Sequence, residues 1–90
     1  FETDDFAGQF RQTLENTLAV LKAGGAGPEH VVRMTWFITD KPAYLNNLKQ
    51  IGQAWRDLMG RNYPAMAVVE VSALMEDRAQ IEIETTAVIP

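Results

Sequence analysis

From Tyr63 to Pro90 the chain carries two arms rich in Val, Ile and Thr, separated by the short acidic stretch Met75-Glu76-Asp77-Arg78. Side chains of these types suit a pleated, half-buried surface. In the second arm Ile81, Ile83, Thr85, Ala87 and Ile89 fall on one face, with Gln80, Glu82, Glu84, Thr86 and Val88 on the other. This alternation predicts two strands joined as a hairpin, with an apolar face lying under helices. The carboxylate-bearing face is left to meet water, a partner chain or a ligand.

Upstream the period becomes helical. Phe6, Phe10, Leu14, Leu18 and Leu21 form one apolar stripe and predict a helix from Asp4 to Ala23. Asp4 and Asp5 supply the acceptors and negative charge that a helix N-terminus favours. Gly24-Gly25 ends the helix, with Gly24 the expected left-handed cap and Pro28 soon after. Gln9, Arg11, Gln12, Glu15 and Asn16 fall on its solvated or interface-facing side. Val31 to Thr39 reads as a strand, with Val32, Met34, Trp36 and Ile38 on one face and Val31, Arg33, Thr35, Phe37 and Thr39 on the other. Neither face is purely polar, so both should be covered, one of them by another subunit. Asp40-Lys41-Pro42 opens a second helix with an N-cap carboxylate and a first-turn proline. Its stripe is Tyr44, Leu48, Ile51, Trp55 and Leu58, and Gly60 ends it. Gly52 inside that helix costs about 1 kcal/mol relative to Ala, which reads as a close approach to the sheet.

The order is helix, strand, helix, strand, strand. A helix between the strands at Val31 and Ala65 makes them parallel, while the last two strands are antiparallel. The predicted fold is an α+β two-layer sandwich, a mixed sheet covered on one face by two helices. Ninety residues make a single domain, 1–90. The other sheet face, where Met66, Val68 and Val88 are expected, would be buried by self-association. The chain starts at Phe1, in mid-flow of an acidic segment, which points to a missing upstream segment.

The formal net charge of −4 argues against a nucleic-acid partner, since phosphate selects basic surfaces. No cysteine is present, which excludes disulfides and thiolate sites and fits a reducing, cytoplasmic setting. No apolar run reaches membrane-spanning length. Gly24-Gly25-Ala26-Gly27 follows a helix, so it fails the context of a phosphate-binding loop. His30 stands alone in a turn, and neither a metal site nor a proton relay is built from one histidine. What remains is carboxylate chemistry on Glu70, Glu82 and Glu84. A carboxylate serves as a general base when partial burial raises its pKa and it can reach a water beside substrate.

Several segments, in order, resemble the Rid/YjgF family of reactive intermediate deaminases, also called the endoribonuclease L-PSP family. They are Gln12-Thr13-Leu14-Glu15-Asn16, Gly27-Pro28-Glu29-His30-Val31-Val32-Arg33-Met34-Thr35 and Phe37-Ile38-Thr39-Asp40. Tyr63-Pro64-Ala65, Val69-Glu70-Val71-Ser72-Ala73-Leu74 and Ile81-Glu82-Ile83-Glu84-Thr85-Thr86-Ala87-Val88 complete the set. The resemblance implies a chorismate-mutase-like fold that forms a homotrimer with small-ligand clefts between subunits. It also implies an N-terminal β-hairpin ahead of the first helix, which this chain lacks. The implied activity is hydrolysis of enamines and imines to a ketone or 2-oxo acid plus ammonia, with no metal or organic cofactor. Glu82 matches the carboxylate that positions or activates water, and Val68 a position whose backbone contacts ligand. The arginine that pairs with substrate carboxylate is replaced by Met66, and a thioether cannot act as a guanidinium fork. The helical asparagine of some members has no counterpart at Leu48 or Lys49. The alternative is a non-catalytic trimeric small-ligand binding or regulatory protein. Ribonuclease activity is disfavoured by the acidic balance.

Overall fold

The computed structural model of the chain describes residues 5–90. It has helices α1 (Phe6–Ala23), α2 (Lys41–Asn46) and α3 (Leu48–Met59), and strands β1 (Val31–Ile38), β2 (Ala65–Glu70) and β3 (Ile81–Ala87). A short 3-10 turn, Pro28–His30, leads into β1. The strands form one mixed sheet in the order β2-β1-β3, with β1 parallel to β2 and antiparallel to β3. The α+β architecture expected from the sequence is the one observed.

The pairing is not. The two arms after Tyr63 run in opposite directions but do not touch as a hairpin, because β1 lies between them. The first arm leaves the sheet after Glu70, and residues 71–80 cross over the end of β1, where Val71 N–H donates to the Ile38 carbonyl at 2.8 Å. The central position goes to β1, the strand that carries the large buried side chains Met34, Trp36 and Ile38. The acidic stretch between the arms is thus part of a longer crossing connection. Two strand spacings, about 10 Å, are too wide for a tight turn to bridge.

Asp5 caps α1, its carboxylate accepting the Gly8 N–H at 2.8 Å. Asp4 lies outside the described residues. At the other end Gly25, with φ 85°, takes the left-handed position, not Gly24. Ala26 N–H reaches the Leu21 carbonyl and Gly25 N–H that of Lys22, so two otherwise orphaned carbonyls are satisfied. Phe6, Phe10 and Leu14 are buried as their spacing predicts. Gln9 is buried too, against its expected place on the polar side. Its amide donates to the Arg78 carbonyl (2.9 Å) and accepts the Gln80 N–H (2.8 Å), pinning the crossing connection to α1. The Gln9 side chain is fully buried, so Gln9→Ala should lower the unfolding free energy by about 1–3 kcal/mol. A urea midpoint unchanged at constant m would show that the clamp contributes nothing.

The second helix is two helices. Asn47 breaks it, its side-chain amide donating to the Ala43 carbonyl at 2.7 Å while its N–H closes a tight turn on Tyr44. Asp40 caps α2 through the Ala43 N–H at 3.0 Å, and the Glu70 carboxylate accepts the Lys41 N–H at 2.8 Å. Leu48 consequently lies exposed, while Ile51, Ala54, Trp55 and Met59 of α3 are buried. Gly52 does not approach the sheet; a Cβ there would meet only the Arg56 guanidinium, at 3.4 Å.

The core lies between the sheet and α1 and α3. Trp36 of β1 is its centre, with ring centroids 4.8 Å from Phe10 and 5.9 Å from Trp55. Met34, Ile38, Ile81 and Met59 fill the space around it. A register shift between Val31 and Arg33 in the pairing with β3 disturbs the alternation at the start of β1. One extra residue reverses which side chains face inward. Val31 is therefore buried and Val32 exposed, the reverse of the strict two-residue reading.

Candidate functional site

Register decides where the three candidate residues sit. Met34, Trp36 and Ile38 of β1 face the helices, and their partners on β2 are Met66, Val68 and Glu70. Met66 and Val68 therefore lie on the helix side of the sheet, not on the bare face where the sequence placed them. Val68 packs against the core. The bare face carries instead Ala65, Ala67 and Val69 of β2, Arg33, Thr35 and Phe37 of β1, and Glu82, Glu84 and Thr86 of β3. Phe37 stands between Val69 and Glu82 in one cross-strand row.

The candidates line three different cavities. Glu82 borders a groove of about 540 Å³ along the outer edge of β3, shared with Thr13 and Thr17 of α1 and Leu74 and Met75 of the crossing connection. Met66 borders a cavity of about 310 Å³ against α3, and Val68 one of about 360 Å³ with Lys41, Tyr44 and Glu70. Within one chain, Met66 and Glu82 are separated by two strand spacings and three residues of register, roughly 14 Å between their Cα atoms. Their side chains also point to opposite faces. A small molecule cannot touch both in a single copy.

The three carboxylates differ in state. Glu70 is committed to the α2 N-terminus. Glu82 and Glu84 are exposed and form no hydrogen bond or ion pair among the described residues. On the outer surface a hydrogen bond from the Arg11 guanidinium, at 2.8 Å, holds Asp57 below its usual pKa, aided by Gln53. That pair ties α1 to α3. His30 lies in the turn as expected but is partly buried there, its Nδ1 accepting the Gly27 N–H at 2.9 Å. An acceptor Nδ1 carries no proton, so its 3.5 Å approach to Glu29 is not an ion pair in that state. Among the described residues no group of three or more His, Cys, Asp or Glu could hold one metal ion, and no helix is long and apolar enough to cross a membrane.

The geometry thus offers an unpaired carboxylate on an uncovered sheet face and an aromatic cavity behind the opposite edge strand. Residues 1–89 match the family model described as Endoribonuclease L-PSP. The chain belongs to that family, the Rid/YjgF proteins. A RutC family protein from Pyrococcus horikoshii is 35% identical over 83 residues, covering 92% of this chain and 62% of its own length. A 2-iminobutanoate/2-iminopropanoate deaminase from Salmonella typhimurium is 33% identical over 88 residues, covering 94% of the chain and 65% of its own length. The chain thus spans less than two thirds of these relatives. Among solved structures, a YjgF/YER057c/UK114 family member from Mycobacterium tuberculosis superposes with a TM-score of 0.81 at 30% identity, over 98% of this chain and 71% of that one. TdcF of Escherichia coli, solved with bound serine, gives 0.79 at 32% identity over 96% and 66%.

Proposed function

We propose that this chain belongs to a hydrolytic deaminase of small reactive enamines and imines, working without metal or organic cofactor in clefts between the subunits of a cytoplasmic homotrimer. The observation that carries the reading is Glu82, an exposed ionisable side chain that has no partner among the described residues, on the sheet face turned away from the helices. Packing of sister copies on that face would partly dehydrate the carboxylate and bring it near the edge strand of a neighbour. The 14 Å separation of Met66 and Glu82 within one copy then stops being an obstacle, because the two come from different subunits.

In such a cleft Glu82 accepts a proton from water as the oxygen attacks the imine carbon. That proton passes to the imine nitrogen to give the carbinolamine. The hydroxyl proton then follows through the same carboxylate as the C–N bond breaks. The nitrogen leaves as ammonia, and the carbon keeps the oxygen as the carbonyl of a ketone or 2-oxo acid. The step needs only water and proton transfer, within the reach of one positioned carboxylate. The Val68 backbone helps hold the substrate, and Met66 gives an apolar wall. Relatives named as deaminases support this class of reaction.

The test is ammonia release from 2-imino acids and from neutral imines generated in situ, measured against spontaneous hydrolysis. Catalysed release from at least one of them is expected. Background rates across the whole set would overturn the reading.

A further inference from the structure

Behind β2, the cavity of about 310 Å³ next to Met66 has an uncommon composition. Trp36, Tyr44, Trp55 and Tyr63 supply four aromatic rings, and among the described residues Arg56 is the one charged side chain lining it. The Arg56 guanidinium folds back along α3 over Gly52, where a Cβ would stand 3.4 Å from its Nη1. A glycine at this helical position has no sheet contact to explain it. It leaves room for the cation to lie at the cavity mouth.

The guanidinium is exposed and only weakly held among the described residues. Its hydrogen bond is a long one of 3.4 Å to Gln53, and the adjacent acid, Asp57, is engaged at 2.8 Å by Arg11. Two rings of the same cavity, Trp36 and Trp55, have buried indole N–H groups with no acceptor. Mostly apolar walls with a few polar groups describe a small-ligand site, and this volume is at the lower end of the usual range.

We infer that Arg56 binds the carboxylate of a small ligand with a planar, apolar body that lies against Trp36, Trp55 and Tyr63. This rests on the deaminase reading only for its consequence. On that reading Arg56 is the residue that selects carboxylated over neutral imines. An arginine suits this role because its fork matches a carboxylate in two parallel hydrogen bonds.

The chain has two tryptophans, and both line the cavity, so intrinsic fluorescence reports its occupancy directly. The experiment titrates the protein in its native assembly with benzoate and, as the neutral match, benzamide. Benzoate should give a saturable change and benzamide a much weaker one. Arg56→Gln should reduce benzoate affinity roughly ten- to a hundredfold and leave benzamide as it was, while Arg56→Lys retains part of the preference. No saturable benzoate binding at millimolar concentration, equal binding of the two probes, or an Arg56→Gln protein that binds benzoate normally would each overturn the inference. Binding is read without turnover, so absent ammonia release leaves this result standing, and a failed benzoate titration leaves the deaminase reading standing.

Discussion

Replacing Glu82 by Gln should reduce catalysed ammonia release by about two to four powers of ten, the usual worth of a positioned general base. The substitution keeps size and shape and removes only the ability to take a proton. Glu82 is exposed and has no partner among the described residues, so their packing does not depend on its charge. Thermal and denaturant stability should therefore stay within about 0.5 kcal/mol, as for surface changes in general. The split between kcat and KM is informative. A group acting on water in the transition state lowers kcat with KM little changed, whereas one that merely holds substrate raises KM. Glu84 serves as the internal control, since it lies on the same face one row away, opposite Thr35. Glu84→Gln should retain most of the rate. Full activity in Glu82→Gln, or equal losses in both variants, would remove Glu82 from the chemistry.

The sequence carried much of this arrangement and lost one part of it for a definable reason. The stripe Phe6, Phe10, Leu14 and the caps at Asp5 and Asp40 are local features, and all appear where the spacing puts them. The parallel relation of β1 and β2 also follows from the helices between them. Strand order is different, because it is a choice among partners distant in sequence. Adjacency of the two arms suggested a hairpin, but the strand carrying the large core side chains Met34, Trp36 and Ile38 lies in the middle. Alternation likewise shows which side chains of a strand share a face, not which face is inside. In β2, Ala65, Met66, Ala67, Val68 and Val69 are apolar on both sides, so only the register with Met34 and Trp36 settles the matter. Gln9 and Arg56 were missed for a related reason. Each is a polar residue whose role comes from an element far away or from the shape of a cavity, and neither leaves a periodic trace.

Phe37→Lys should break the proposed assembly while sparing the fold of the single chain. Phe37 lies on the central strand of the uncovered face, flanked by Val69 on β2 and Glu82 on β3. In an isolated copy a lysine there stays in water and stands across from the Glu82 carboxylate, so local stability changes little; exposed pairs of this kind contribute about 0–1 kcal/mol. Between packed copies the same ammonium would be dehydrated against apolar side chains. An uncompensated charge in such a place costs on the order of 3–5 kcal/mol, a hundred- to a few-thousandfold in association. Sedimentation should accordingly show trimers for the unaltered protein and single subunits for the variant, with similar far-ultraviolet circular dichroism. Ammonia release should fall with the trimer, since a cleft built from two copies cannot survive their separation. Arg56-dependent benzoate binding lies on the helix side of the sheet, within one chain, and should persist in the separated subunit. A variant that remains trimeric and active would mean that this face is open to solvent and that Glu82 works, if at all, without a neighbour.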